Sequence, residues 1–230
     1  MKAGRMRIAT PSLGDTGGLR AARTARRRML AGALAGAALA GVPWRVRAQS
    51  RIATPRQTEG PFYPDQLPAD DDNDLVAVKG QSGIARGEIL LLAGTVTDLA
   101  GKPLAGARVE IWQCDAGGRY HHSRDSSRAA PDPNFQGWGQ FVTAADGAYR
   151  FRTIKPVPYP GRTPHIHFKV SGAAIPGLVT QMYVEGEPGN ARDGLFNSLD
   201  PRERAAVTVR VDKAPDGKAL AARFDIVLRG

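Results

Sequence analysis

From Glu88 to the C-terminus, apolar and β-branched residues alternate with polar ones in short runs broken by Gly, Pro and Asp. Period-two alternation bounded by turn formers marks half-buried strands, because successive side chains of a strand face opposite sides. Seven strands are predicted: Glu88–Thr97, Ala107–Gln113, Ala148–Thr153, His165–Ser171, Leu178–Glu185, Ala206–Val211 and Arg223–Leu228. Asp98–Pro103, Asp146-Gly147 and Asp216-Gly217 carry the residues that tight turns require. Asp200–Ala205 and Gly217–Ala222 are the stretches expected to form a turn or two of helix, and no longer helical period follows the first 48 residues. The fold class expected is all-β, as a two-sheet β-sandwich spanning 88–230.

Two different segments precede the strands. Residues 49–87 are rich in Pro, Gly and Asp, and the stretch Thr58 to Asp65, TEGPFYPD, excludes a regular helix or central strand there. An extended arm is expected, with Asp70-Asp71-Asp72-Asn73-Asp74 as a solvated acidic loop, since it lacks the Gly and distal Glu of a calcium loop. Residues 1–48 read Arg26-Arg27-Arg28-Met29-Leu30, then a short Ala-, Gly- and Leu-rich run, then Pro43 and Ala48. This resembles a twin-arginine export signal cleaved after Ala48 and too short to span a bilayer. The expectations are periplasmic or exported localisation and no stable membrane insertion after cleavage.

Charge sharpens that division. The net charge is +10, yet residues 1–48 carry ten of the 32 Lys and Arg and one of the 22 acidic residues, Asp15. The remaining chain is nearly neutral, which argues against a nucleic-acid partner, because phosphate binding needs a basic patch in the folded domain. The single cysteine, Cys114, excludes an intramolecular disulfide and a thiolate cluster, and its apolar surroundings suggest a buried thiol.

Candidate chemistry is concentrated between residues 120 and 181. All four histidines fall at 121, 122, 165 and 167. In His165-Ile166-His167 the two imidazoles would share one strand face, about 6.6 Å apart along the chain, and could reach one metal ion. Tyr120 and Tyr159, on turn-like segments, would complete four ligands. Phenolate is a hard anionic ligand, so two phenolates with two imidazoles favour Fe(III). His121 and His122 adjoin Tyr120 and are read as solvent-facing or supporting residues. A zinc hydrolase built on the histidine pair would need a third ligand that is not evident nearby.

These residues sit in a wider set of motifs: TEGPFYPD, Gly94–His122 (GTVTDLAGKPLAGARVEIWQCDAGGRYHH), Asp132–Pro160, His165–Phe168 (HIHF), Thr180–Gly186 (TQMYVEG) and Arg223–Gly230. Together they resemble the intradiol ring-cleavage dioxygenases, most closely the β-type protocatechuate branch. The resemblance implies a β-sandwich with an iron site in edge loops, and one non-haem Fe(III) per chain. It also implies Tyr120, Tyr159, His165 and His167 as metal ligands, with Tyr159 leaving on substrate binding and acting as base. Arg162 and Gln181 are implied to face the substrate. The activity implied is cleavage of a catechol-type aromatic substrate between its hydroxyls with O2, giving a cis,cis-muconate-type diacid. Between Tyr159 and His165 stand only five residues, Pro160 to Pro164, fewer than the protocatechuate enzymes carry. The resemblance takes in no counterpart of the helical N-terminal domain of the catechol and hydroxyquinol branch, and a possible homo-oligomer is the expectation for assembly. Gly94–Trp112 alone also resembles transthyretin-like and carboxypeptidase-regulatory sandwiches, which are binding modules without a metal.

Overall fold

The computed structural model describes residues 51–230. Ten strands form two five-stranded sheets: β1 Ile89–Asp98, β2 Arg108–Trp112, β3 Trp138–Val142, β4 Ala148–Ile154, β5 His165–Ser171, β6 Leu178–Val184, β7 Thr208–Val209, β8 Val211–Lys213, β9 Leu220–Arg223 and β10 Ile226–Leu228. In the first sheet β4 lies antiparallel along one edge of β1, while β9 and then β10 run parallel to successive halves of it and β8 pairs β9. The second sheet has the order β3-β2-β5-β6-β7.

The alternation seen in the sequence packs the two sheets together. Leu90, Leu92 and Val96 of β1 and Tyr149 and Phe151 of β4 meet Val109, Ile111, Ile166, Phe168, Val170 and Met182 in one buried cluster. Each fully buried apolar side chain of this size contributes roughly 1.5–3 kcal/mol. The second sheet is buried on its other face as well. There Trp138 pairs Trp112, Trp112 pairs His167 and His167 pairs Gln181, making one row across four strands, with His165 opposite Tyr183 in the next. Residues 51–88 contain no helix or strand; residues 57–63 lie over that face through contacts given below, whereas Leu75, Val76 and Ala85 join the buried cluster.

Four expectations need correction. Gly217–Ala222 forms no helix: Leu220–Arg223 is β9, where pairing with β1 and β8 overrides the helical preference of Leu, Ala and Arg. Ala206–Val211 is not one strand, because helix α2 (Pro201–Val207, after α1 at Gly194–Asn197) runs into it and β7 and β8 follow separately. An Asp200–Glu203 capping box starts α2. The strand β3 is unforeseen, since Trp-Gly-Gln-Phe-Val lacks a clean alternation and owes its form to pairing with β2. The acidic loop is only partly solvated: Asp74 pairs with Arg152 and the Gln140 amide donates to the Asp72 carbonyl. The expected export signal lies outside the described residues. Among those described, no helix is long and apolar enough to cross a membrane.

Candidate metal centre

The histidines come from β5, and each tyrosine from a loop that its sequence closes. Tyr159-Pro160-Gly161-Arg162 is a Pro-Gly turn: the Arg162 amide donates to the Tyr159 carbonyl at 2.9 Å and Gly161 has φ 84°. Pro at the second position and a left-handed Gly at the third define the type II turn, and they set Tyr159 beside Arg162. The Tyr120 loop is organised by Asp115, whose carboxylate accepts from the amides of Gly117, Arg119 and Asp132 at 2.8, 3.1 and 2.9 Å. Asp125 accepts from the Tyr120 amide at 2.7 Å. Gly118, at φ 76°, lets the two loops touch, for a Cβ there would lie 3.0 Å from the Pro158 carbonyl oxygen.

The four predicted ligands converge. His165 Nε2 and His167 Nε2 are 3.1 Å apart. The Tyr120 and Tyr159 rings meet edge to face at 5.3 Å, Tyr159 lies 5.4 Å from the His165 ring, and Tyr120 lies 6.3 Å from that of His167. His165 Nδ1 meets the Thr163 carbonyl at 2.7 Å, which puts its proton on Nδ1 and leaves the Nε2 lone pair facing inward. His167 is fixed by stacking on Trp112, with centroids 4.7 Å apart and planes 8° from parallel.

This donor set fits a cation. Two nitrogens each about 2.1 Å from one ion, at tetrahedral to octahedral angles, sit about 3.0–3.4 Å apart. The Tyr120 hydroxyl is buried without a hydrogen-bond partner, a costly state that a metal would relieve. Burial pushes the Tyr120 phenol well above its ordinary pKa and also raises Tyr159, so ionisation near neutrality requires a positive charge at hand. Among the described residues no three His, Cys, Asp or Glu side chains gather to hold a metal, so the zinc alternative finds no third ligand of that kind.

Arg162 spans the centre. Its Nη1 is 3.4 Å from both the Tyr159 hydroxyl and His165 Nε2, its Nη2 donates to Gln181 Oε1 at 2.6 Å, and its Nε donates to Asp193 at 2.8 Å. Gln181 is fully buried and its amide is committed within the protein, accepting from Tyr183 Oη at 3.0 Å and donating to the Thr58 carbonyl at 3.1 Å. Through Oε1 it holds Arg162 in place. Nothing local in the sequence singles out Asp193, Tyr183 or Trp112, although Trp112 and Tyr183 lie within Gly94–His122 and Thr180–Gly186. His121 is exposed, whereas His122 is buried and accepts from the Arg124 amide through Nδ1.

The iron-free protein carries a pH signature. Burial, then the Arg162 charge, depresses the pKa of His165 to about 4, and burial holds His167 well below the ordinary histidine value. The folded histidines stay neutral while the unfolded chain takes up protons below about pH 6.5, so stability falls as pH drops from 6.5 toward 4. His165 alone accounts for a loss on the order of 3 kcal/mol over that window. Urea unfolding of the iron-free protein at pH 7 and pH 4.5 checks this, and equal midpoints would refute it.

Comparison with known proteins agrees with this geometry. The family model described as Dioxygenase matches residues 58–230. The chain is 43% identical over 169 residues to the protocatechuate 3,4-dioxygenase beta chain of Burkholderia cepacia, covering 69% of this chain and 72% of that one. It is 35% identical over 199 residues to a hydroxyquinol 1,2-dioxygenase of Corynebacterium glutamicum, covering 74% of this chain but only 61% of the relative's length. Among solved structures it resembles the dioxygenase domain of a dioxygenase carbohydrate-binding protein fusion from Streptomyces sp. SirexAA-E. The TM-score is 0.59 at 35% identity, over 77% of this chain and 99% of that one.

Proposed function

The chain belongs to the intradiol ring-cleavage dioxygenases, and from that premise we propose that it opens a catechol-type ring between its two hydroxyls with O2. The product would be a cis,cis-muconate-type diacid. The reading uses one non-haem Fe(III) per chain, held by Tyr120, Tyr159, His165 and His167. What carries it is the convergence of those four side chains, from three separate segments, on one buried point. The metal-free binding modules considered from the sequence offer no reason for a buried Tyr120 hydroxyl facing paired imidazoles.

When bound, the ferric ion would supply Lewis acidity and a template for both catechol oxygens. Each protein group then has a defined task. As a phenolate, Tyr159 would take a catechol proton onto its oxygen and become the neutral phenol, which suits a group whose free pKa is near 10. Its turn is stiffened by prolines at 156, 158 and 160, so the ring returns to one position at low entropic cost. Tyr120, stacked on Phe62 with centroids 4.7 Å apart, stays in place. Arg162 keeps its proton at any working pH and steadies the negative charge that grows on the ring.

Beside this centre, the short loop leaves a cavity of about 370 Å³ lined by Pro158, Gly161, Arg162, Pro164, Glu187 and Arg192. We read it as room for a ring substituent, so substituted catechols belong among the substrates. Export through the twin-arginine route suits a protein that takes up its metal while folding in the cytoplasm. N-terminal sequencing of the exported protein would show a start at Gln49, and an intact leader would contradict cleavage.

The central test is a visible spectrum of the iron-loaded protein. Tyrosinate bound to ferric iron absorbs visible light, and adding a catechol without oxygen would shift that band. In air, oxygen uptake should match diacid formed. About one iron per chain with no uptake across a catechol panel would overturn the proposal. Tyr159→Phe should hold iron more weakly, through the other three ligands, and when fully iron-loaded lose about 10²–10⁴-fold in turnover, the range of a missing acid-base group. Turnover within threefold of wild type would remove Tyr159 from that role.

A further inference from the structure

The arm ahead of the sandwich reaches the centre by two routes. It is first anchored at a distance: the Thr54 amide donates to the Val227 carbonyl and the Val227 amide to Thr54 Oγ1, both at 2.9 Å. The Gln57 amide then donates to the Val179 carbonyl, also at 2.9 Å. From there the first route runs through hydrogen bonds. Gln57 Nε2 donates to the Tyr183 hydroxyl at 2.9 Å, Gln57 Oε1 accepts from the Gln181 amide at 3.2 Å, and the Thr58 carbonyl accepts from Gln181 Nε2. Gln181 and Tyr183 are the two groups on β6 that Arg162 Nη2 meets, so both are oriented by the arm. The second route is aromatic. Phe62 stacks on Tyr120 and turns its edge to Tyr159 at 6.0 Å, while Gly60 passes so close to His167 that a Cβ would lie 3.4 Å from its Cε1.

Two ties keep the arm down past this point. The Tyr63 hydroxyl donates to the buried Glu110 at 2.6 Å, and Glu59 pairs with Lys169 at 3.1 Å. Lys169 in turn lies 4.1 Å over the Tyr63 ring. Residues 57–63 therefore cover the outer face of β5 and β6 along the length of the four-ligand cluster.

We propose that residues 57–63 are a roof supplied by the same chain, with Gln57 a positioning residue for Arg162 and Phe62 a positioning residue for Tyr120. One copy of the chain then holds a complete site, and no second subunit has to provide that wall. The inference rests on the metal centre described above, and the experiment separates the two.

Iron-loaded Gln57→Leu, Phe62→Leu, Phe62→Tyr and Thr54→Ala proteins are compared with wild type by visible spectrum, catechol kinetics and melting temperature. Phe62→Leu should shift the tyrosinate band and speed iron loss to a chelator about tenfold, the lower end of what supporting groups around metal ligands cost. Phe62→Tyr keeps the stack and should restore both. Gln57→Leu should lower kcat about tenfold with KM changed by less than about threefold, because Arg162 acts on charge that develops during reaction. Thr54→Ala, which loosens the anchor away from the centre, should lower the melting temperature and leave band and kcat unchanged. Turnover per chain should stay constant on dilution from about 10 µM to about 10 nM, where any weak self-association is lost. The roof is refuted if Phe62→Leu and Gln57→Leu match wild type, if Thr54→Ala moves the band as far as Phe62→Leu, or if turnover per chain falls on dilution. A wild-type protein with iron but no tyrosinate band refutes the centre and, with it, anything built above it. Should Phe62→Leu not fold, Phe62→Met is read in its place by the same band.

Discussion

The His167→Leu protein will fold as well as wild type without iron, or better, and will lose more than about 100-fold in both iron affinity and ring cleavage. His167 is about 1% exposed and its Nδ1 has no hydrogen-bond partner, so in the iron-free state the fold buries a polar group at a cost. Leucine is close in size, keeps the packing against Trp112 and removes that cost. The imidazole is therefore held for its lone pair and not for stability. Groups that only support metal ligands already contribute 10–100-fold, and a ligand itself must exceed that range. Thermal melts with and without iron read both halves at once. Iron should raise the wild-type melting temperature, since it binds the folded state alone, and leave the variant where it was. An iron-dependent rise of equal size in the variant would remove His167 from the shell.

Why the four ligands were legible from sequence, and their supports were not, has a physical basis. A pair of histidines two apart on a strand declares its common face through the pleat, and Pro-Gly after Tyr159 declares a turn, because both depend on neighbours in the chain. Asp193 depends on nothing local. It sits between a single turn of 3₁₀ helix and the four-residue α1, and it meets Arg162 only because the loop after β6 folds back against the Pro160–Pro164 turn. Gln57 is likewise unremarkable until the arm crosses β6. The same rule governs the strands. The alternating segments β1, β4 and β5 stood out, whereas β3 and β9 arise from pairing that no short window contains. Extended backbone in the arm was evident from its prolines, and the site it covers was not.

Removing the Asp193 carboxylate should cause the largest loss of stability that leaves all four ligands in place. Its side chain is fully buried and accepts three bonds, from Arg162 Nε at 2.8 Å and from the Thr163 and Phe196 amides at 2.9 Å each. Those donors, the Arg162 cation among them, hold its pKa below the usual carboxylate range against the opposing effect of burial. Asp193→Ala strands a mostly buried guanidinium and two amides, and breaking such a pair from one side costs about 3 kcal/mol or more. For a domain of this size that lowers the melting temperature by roughly 10 °C. Because the folded pKa is depressed, the stabilisation is present in full above the unfolded value near 4 and disappears as pH falls through the folded value. Wild type and variant should therefore differ at pH 7 and converge in strong acid. Turnover should fall too, since Arg162 released at Nε no longer holds Nη1 between Tyr159 and His165. The double variant Arg162→Met/Asp193→Ala discriminates the causes. Taking away both charges relieves the stranded cation, so stability should recover by at least half while turnover stays low. If the double variant is no more stable than Asp193→Ala, Asp193 acts through the loop amides alone and its hold on Arg162 is incidental.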